Sequence, residues 1–154
     1  MPISRRRKRN AAWAGTIVLA QLAMQANALE RYPVVADTIP APLGGKVGDS
    51  TRGAALVKDR ERGNCLICHH GDDPAEPFQG SIGPPLRGVG ARLSAAQIRL
   101  RLVDMSQLNA DTVMPPYFRI DNMRDVAPAF RGRPALSAQE IEDVVAYLSS
   151  LKRE

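Results

Sequence analysis

The stretch GNCLICHH, residues 63 to 70, contains both cysteines and both histidines of the 154-residue chain. Cys65, Cys68 and His69 have the spacing C-x-x-C-H, which is the signature of covalent c-type haem attachment. On a helical turn, residues three apart lie on one side, so both thiols can add to the two haem vinyl groups. The imidazole that follows can bind the iron as an axial ligand. We therefore predict one covalently bound haem c, attached at Cys65 and Cys68, with His69 as a metal ligand.

Other uses of a C-x-x-C spacing fit this chain less well. A structural zinc site needs four ligands in a tetrahedral array, and here two cysteines and two adjacent histidines would have to close on one ion. A thioredoxin-like dithiol is expected in a βαβ context, which this sequence lacks. A disulfide between the two cysteines would close a very short loop and add little stability. Haem attachment is the favoured prediction.

The second axial ligand, where one exists, must be a side chain other than histidine. His70 neighbours His69 and cannot reach the opposite haem face, so we expect it to face solvent or to bond within the loop. Three methionines follow the motif. Met105 falls on the apolar stripe of a predicted helix and is expected to fill the core, whereas Met123 lies in a polar loop. Met114 precedes two prolines, which stiffen the chain enough to hold a weak thioether ligand, so we predict Met114 as a metal ligand, with core packing as the alternative.

The first 28 residues carry an export pattern. Residues 5–9 (RRRKR) supply five of the 21 basic residues, a weakly apolar run follows from Ala11, and small residues precede a cleavage site after Ala28. We predict a secretory signal peptide over residues 1–28 and a periplasmic mature protein. An uncleaved membrane anchor is the alternative, although polar residues interrupt a segment near the lower length limit for spanning.

The formal charge of +5 comes from this N-terminal segment. Beyond residue 28, the 16 remaining basic residues balance the 16 acidic residues. A neutral domain offers no large positive field for a polyanion. We therefore expect no nucleic-acid partner. We also expect no membrane anchor, because cleavage would remove the apolar signal peptide.

The sequence after residue 28 divides into an arm and one domain. Residues 29–48 mix prolines and glycines without helical periodicity and predict an extended N-terminal arm. Residues 49–154 contain the C-x-x-C-H motif and all the predicted helices that follow the signal, so we predict a single monohaem cytochrome c domain there. That length is enough for one ordinary domain and too short for two good cores.

Three segments of this domain predict helices. The first is framed by N-cap candidates at residues 49–51 and by Gly63 at its C-terminal end. Ser94 and Ser137 each begin a further helix, because a Gln or Glu three residues later completes a capping box. The last helix has apolar residues at i, i+3, i+4 and i+7, counted from Ile141.

Residues 71–92 are rich in glycine and proline and predict a long loop. So much chain without secondary structure is unusual in a compact fold, and the helices alone would bury too little apolar surface. We expect the haem to supply the missing core. The predicted fold is all-α, with three or more helices packed around a covalent haem and long Gly/Pro-rich loops.

The order of these elements resembles the class I cytochrome c fold. Helix, C-x-x-C-H, Gly-Pro-x-Leu, helix, Met-Pro and C-terminal helix follow one another from residue 49 to residue 151. The segment GPPL, residues 83–86, is similar to the family segment in which a proline carbonyl accepts a hydrogen bond from the second nitrogen of the haem histidine. The resemblance therefore implies that Pro84 orients His69.

Longer strings resemble a narrower family. GNCLICH (63–69), FQGSIGPPLRGVGARLSAAQIRLRLVD (78–104), NADTVMPPYFRI (109–120) and VAPAFRGRPALSAQEIEDVVAYL (126–148) are similar to SoxX, the monohaem subunit of the SoxAX cytochromes of bacterial sulfur oxidation. The resemblance implies a periplasmic heterodimer with a SoxA-like cytochrome subunit. That complex would couple thiosulfate oxidatively to a cysteine of a SoxYZ-like carrier, while this chain accepts electrons for a downstream electron acceptor.

Three functional readings are open at this point. As a subunit of an L-cysteine S-thiosulfotransferase, the chain is expected to carry no catalytic residue, because both cysteines are consumed as thioethers. A free-standing periplasmic electron shuttle would share every haem residue. A haem enzyme or gas sensor would need an open iron position, which ligation by both His69 and Met114 would remove.

The loop from Pro115 to Leu136 has an unusual composition. It holds four arginines against two aspartates, with three aromatic residues interleaved, and interfaces favour arginine and aromatic residues. The alternative is a solvated loop whose arginines balance haem propionates and nearby acids. The residues concerned are Arg119, Arg124, Arg131, Arg133, Asp121, Asp125, Tyr117, Phe118 and Phe130.

Overall fold

A computed structural model describes residues 29–71, 73 and 75–153. The regular structure of these residues consists of four α-helices and several short 3-10 turns, without β-strands apart from one isolated bridge. The predicted all-α fold with three or more helices is confirmed. The predicted signal peptide lies outside the described residues. The helices are α1 (Ser50–Lys58), α2 (Val89–Arg92), α3 (Ala95–Asp104) and α4 (Ala138–Ser150).

Among the residues that the structure describes, no helix has both the length and the apolar composition that a bilayer crossing requires.

Helix α1 begins where the sequence predicts and ends earlier. Asp49 caps it, because its carboxylate accepts the backbone N–H of Arg52 at 2.9 Å. The helix ends at Lys58, where the chain turns to an extended conformation, and does not continue to Gly63. Gly63 is instead buried against the carbonyl of Leu56, in a space that a Cβ would fill. The prediction of Gly63 as the helix terminator is wrong, because that glycine serves a close tertiary approach.

Both predicted capping boxes are confirmed. Ser94 and Gln97 exchange side-chain and backbone hydrogen bonds at the start of α3, and Ser137 and Glu140 do so at the start of α4. Each box satisfies two backbone N–H groups that lack partners within the helix. The prediction of a loop over residues 71–92 is wrong at its end, because α2 begins after Gly88, whose φ of 65° suits a glycine.

The core is built where α4 meets α1 and α3. Gly53 of α1 lies against the backbone of α4, and a Cβ at that position would overlap the Asp143 carbonyl. The two helices can therefore approach closely only because residue 53 is a glycine. The helical side chains that fill the core are Val57, Ile98, Leu100, Leu102, Val103, Ala138, Ile141, Val144, Val145 and Leu148.

The N-terminal arm, residues 29–48, is packed onto this core. It is extended except for a 3-10 turn at Leu43–Gly45 and the bridge between Val35 and Thr38. Ile39 and Leu43 are fully buried within the core cluster, and the Ile39 N–H donates to the Ala96 carbonyl at 3.1 Å. The arm therefore contributes core side chains as well as surface.

A buried ion pair joins the arm to α3 and α4. Arg99 donates from Nε and Nη2 to the two carboxylate oxygens of Glu142 at 2.7 and 2.8 Å, and the residues are 4% and 3% exposed. Arg99 Nη1 also donates to the Ile39 carbonyl at 2.8 Å, and Glu142 Oε1 accepts the Leu43 N–H at 2.9 Å. These bonds compensate for the desolvation of the two charges.

A second carboxylate of α4 binds the start of α1. Asp143 accepts hydrogen bonds from the Arg52 guanidinium at 2.7 and 2.8 Å and from the Asp49 N–H at 2.8 Å. The Arg52 guanidinium holds the pKa of Asp143 below its usual range. The stabilisation from this depressed pKa is present above the unfolded-state pKa of about 3.9 and is lost as the pH falls through the lower folded-state value.

Replacing Arg99 by methionine should destabilise the protein strongly. Arg99→Met leaves the buried Glu142 carboxylate without its counter-ion, so we expect the free energy of unfolding to fall by about 3 to 5 kcal/mol in denaturant titrations. The matched control is Arg101→Met, because the Arg101 guanidinium donates to the Gln97 carbonyl of its own helix. Equal losses in the two variants would contradict the role given to the buried pair.

Candidate haem site

A single turn brings together the two cysteines and His69. The chain enters it through Asn64, whose φ is 48°, and Cys65–Ile67 form a 3-10 helix. The N–H groups of Cys68 and His69 both donate to the Cys65 carbonyl, at 3.2 and 3.0 Å. Cys65 and Cys68 form no disulfide, and Cys65 is buried whereas Cys68 is partly exposed. We call residues 63–69 the haem turn.

The environment of Cys65 argues against thiolate chemistry. Burial raises the pKa of its thiol to about 11. Redox-active and zinc-binding cysteines act as thiolates and have lowered pKa values. A thioether sulfur has no proton to lose, so it suits this buried position. Within the described ranges, His, Cys, Asp and Glu side chains also form no group of three able to hold a metal ion.

A backbone carbonyl holds the His69 ring in place. The Nδ1 of the ring lies 2.7 Å from the Pro84 carbonyl oxygen. A carbonyl can only accept, so Nδ1 carries the proton and Nε2 keeps a lone pair that is available to a metal. The contact implied by the family resemblance is present. Gly83 permits it, because a Cβ on residue 83 would fall on the His69 ring.

The loop before α2 folds back along the haem turn. The Gly80 N–H donates to the Leu66 carbonyl and the Gly83 N–H to the Cys68 carbonyl, both at 2.8 Å. His70 is exposed, as expected, and its backbone carbonyl accepts the Leu86 N–H at 2.8 Å. The Gly/Pro-rich segment therefore forms one wall of the site.

The three later methionines have different surroundings. Met114 is partly buried and packs against the core, and its N–H donates to Thr112 Oγ1 at 3.1 Å. Met105 is only partly buried, contrary to its predicted core-filling role, because α3 ends one residue before it. Met123 has its Sδ 3.6 Å from a guanidinium nitrogen of Arg119. Of the three, Met114 both packs against the core and is followed directly by two prolines. We call residues 112–118, which include Met114, the methionine strap.

Two aromatic residues of the loop from Pro115 to Leu136 are interior. Phe118 is buried, and Tyr117 packs against the core and donates its hydroxyl to the Gly63 carbonyl at 2.8 Å. Arg119 forms an ion pair with Asp104 at 2.8 Å. These three side chains make their contacts within the chain, so neither the interface prediction nor the solvated-loop alternative describes this part of the segment. From the sequence, Tyr117 is identified only as an interface candidate. Its position three residues after Met114 could have indicated a role at the haem site.

The arrangement fits a covalently attached haem. Two thiols three residues apart, an imidazole with Nε2 available and a methionine thioether packed against the core are the donor types of haem c with histidine and methionine as iron ligands. The glycines at positions 80 and 83 leave the turn and its loop in close contact.

Comparison with known proteins agrees with this chemistry. The family model described as cytochrome c matches residues 50–152. The crystal structure of SoxXA from P. pantotrophus contains a chain that is 32% identical, with a TM-score of 0.72, and the match covers 79% of this chain and 95% of that chain. The curated proteins gave no match. The residues matched by the family model include the whole haem turn and Met114.

The predicted ligation by Met114 would have a redox consequence. A thioether stabilises ferrous iron relative to water or hydroxide, so Met114→Ala should lower the reduction potential sharply, within the range of about 0.8 V that axial ligands span. Spectroelectrochemical titration measures this shift. Met105→Ala is the matched control and should leave the potential close to that of the unmodified protein. Loss of the low-spin spectrum in Met105 or Met123 variants, with Met114 variants unchanged, would show that the assignment is wrong.

Proposed function

Since this chain belongs to the cytochrome c family, we propose that it is the electron-accepting subunit of a SoxAX-type complex that oxidises thiosulfate. Its fold is the all-α class I cytochrome c fold, its cofactor is one covalently bound haem c, and it is an electron-transfer cytochrome. The observation that carries the finer proposal is the 32% identity, over 79% of this chain, to a chain of SoxXA. A general family match alone would not distinguish it from a free-standing shuttle.

The site residues have distinct roles in this proposal. Cys65 and Cys68 attach the haem, and His69 and Met114 bind its iron. The bound haem supplies one-electron oxidation and reduction. Pro84 fixes the tautomer and the orientation of the His69 ring, which leaves Nε2 available to the iron. With both His69 and Met114 bound to the iron, the metal would have no open position for a substrate, so electron transfer would be the chemistry of the site.

Sulfur transfer requires a group that this chain does not provide. Joining thiosulfate to a cysteine thiol forms one S–S bond and releases two electrons and one proton. Sulfur uptake and transfer need a free nucleophilic thiolate or persulfide. The only two cysteines of the sequence are committed to haem attachment. The L-cysteine S-thiosulfotransferase site therefore belongs to a SoxA-like partner, and this chain must accept electrons twice for each coupling event.

The cellular setting follows from the same proposal. The basic and apolar pattern of residues 1–28 indicates export to the periplasm. A SoxYZ-like carrier would present the cysteine to the complex, and a downstream acceptor would reoxidise this chain. The alternative function, a free-standing periplasmic electron shuttle, requires neither the partner nor the carrier.

Reconstitution of the coupling reaction tests the proposal. Thiosulfate-dependent conjugation should be assayed with this subunit alone, the partner alone and both together, each with carrier protein and an electron acceptor. We expect turnover near the full rate only with both subunits, because the chemistry and the electron relay lie on different chains. Turnover by this subunit alone at a rate near that of the complex would contradict the assignment. A monomeric native protein that reduces a terminal oxidase without any partner would favour the shuttle.

A further inference from the structure

A hydrogen bond links the methionine strap to the haem turn. Tyr117 Oη donates to the Gly63 carbonyl at 2.8 Å across 54 residues of sequence. Tyr117 lies three residues after Met114, and Gly63 lies two residues before Cys65. We propose that Tyr117 is a positioning residue, whose hydroxyl holds Met114 against the iron by tying its strap to the haem turn. The inference rests on the proposed ligation by Met114.

The acceptor end of this bond is fixed by α1. Gly63 is buried, and its Cα lies so close to the Leu56 carbonyl of α1 that a side chain would not fit. The next residue, Asn64, turns the chain directly into the haem turn. A group that binds the Gly63 carbonyl is therefore held at a constant position relative to Cys65 and the haem attached to it.

The donor end is fixed by α3 and by the chain before α4. The Tyr117 N–H donates to the Leu102 carbonyl at 3.1 Å, and the Tyr117 carbonyl accepts the Leu136 N–H at 3.0 Å. The neighbouring Phe118 N–H donates to the Val103 carbonyl at 3.3 Å. Burial raises the pKa of the Tyr117 phenol, so the hydroxyl remains protonated and able to donate.

The constraint passes from Tyr117 to Met114 through two prolines. Pro115 and Pro116 have restricted φ angles, so few conformations connect Met114 to Tyr117. On the other side of the ligand, Thr112 Oγ1 accepts the Met114 N–H at 3.1 Å. Once the hydroxyl of Tyr117 is bound to Gly63, the thioether has little freedom to move away from the iron.

Displacement of the thioether from ferric iron measures this constraint. A neutral hydrogen bond of ordinary strength changes an equilibrium about two- to tenfold. Imidazole titrated into the ferric holoprotein should therefore bind about two- to tenfold more tightly to Tyr117→Phe than to the unmodified protein. Tyr32→Phe is the matched control, because its ring lies 6.2 Å from that of Phe118 and its variant also loses one phenol hydroxyl. No tightening in Tyr117→Phe, or equal tightening in both variants, would overturn the inference.

A double-substitution cycle separates positioning from a general loss of structure. In a Met114→Ala background, Tyr117→Phe should leave imidazole affinity unchanged, because there is no thioether left to position. The same increase in both backgrounds would overturn the inference. Met114→Ala alone should raise the affinity for imidazole. An unchanged affinity there would overturn the ligand assignment itself, and with it the role of Tyr117.

Amide hydrogen exchange in the unmodified holoprotein is an independent test. It can be carried out even if the Tyr117→Phe variant does not accumulate. Coupling between two binding events is reciprocal, so displacing Met114 must weaken the contacts of Tyr117 by the same factor. Saturating imidazole should raise amide hydrogen exchange at Tyr117 about two- to tenfold, while exchange in the middle of α4 stays constant. Identical exchange at Tyr117 with and without imidazole would overturn the inference.

Discussion

The hydrogen bond from His69 Nδ1 to the Pro84 carbonyl fixes the imidazole relative to the two cysteines of the same turn. It requires the loop before α2 to lie directly on that turn, which is possible because Gly83 has no side chain to meet the ring. The backbone bonds of Gly80 and Gly83 hold the loop in register with residues 66–68. The glycines of this loop are thus a requirement of the site, since larger residues at positions 80 and 83 would push the loop away from the haem turn and from His69.

The helices hold two distant parts of the chain in position around this centre. Close packing at Gly53 and the Asp143 carboxylate join α1, which leads into the haem turn, to α4. Helix α3 binds the methionine strap through the carbonyls of Leu102 and Val103. The Arg99 and Glu142 pair then joins α3, α4 and the N-terminal arm. Both proposed axial ligands are consequently carried by irregular segments whose ends are anchored to helices.

Local features of the sequence predict the parts of the fold that depend on neighbouring residues. The capping boxes at Ser94 and Ser137 and the cap at Asp49 involve contacts within three residues, so their patterns identify them directly. The haem turn is equally local. The prediction for Gly63 is wrong because this glycine makes a close contact with the Leu56 carbonyl. The sequence pattern cannot distinguish a glycine that ends a helix from one that allows such a contact. The Arg99 to Glu142 and Tyr117 to Gly63 bonds span 43 and 54 residues, and periodicity carries no information about such partners.

Covalent attachment at Cys65 and Cys68 is the claim on which the ligation and electron-transfer proposals depend. The most direct test is mass spectrometry of the protein purified from the periplasm of a host that matures c-type cytochromes, after extraction with acid acetone. We expect a chain that begins at Leu29 and retains one haem, and a proteolytic peptide containing residues 65–69 that carries the haem mass. Haem that is removed by acid acetone, or a haem-bearing peptide that lacks Cys65 and Cys68, would contradict covalent attachment at these cysteines.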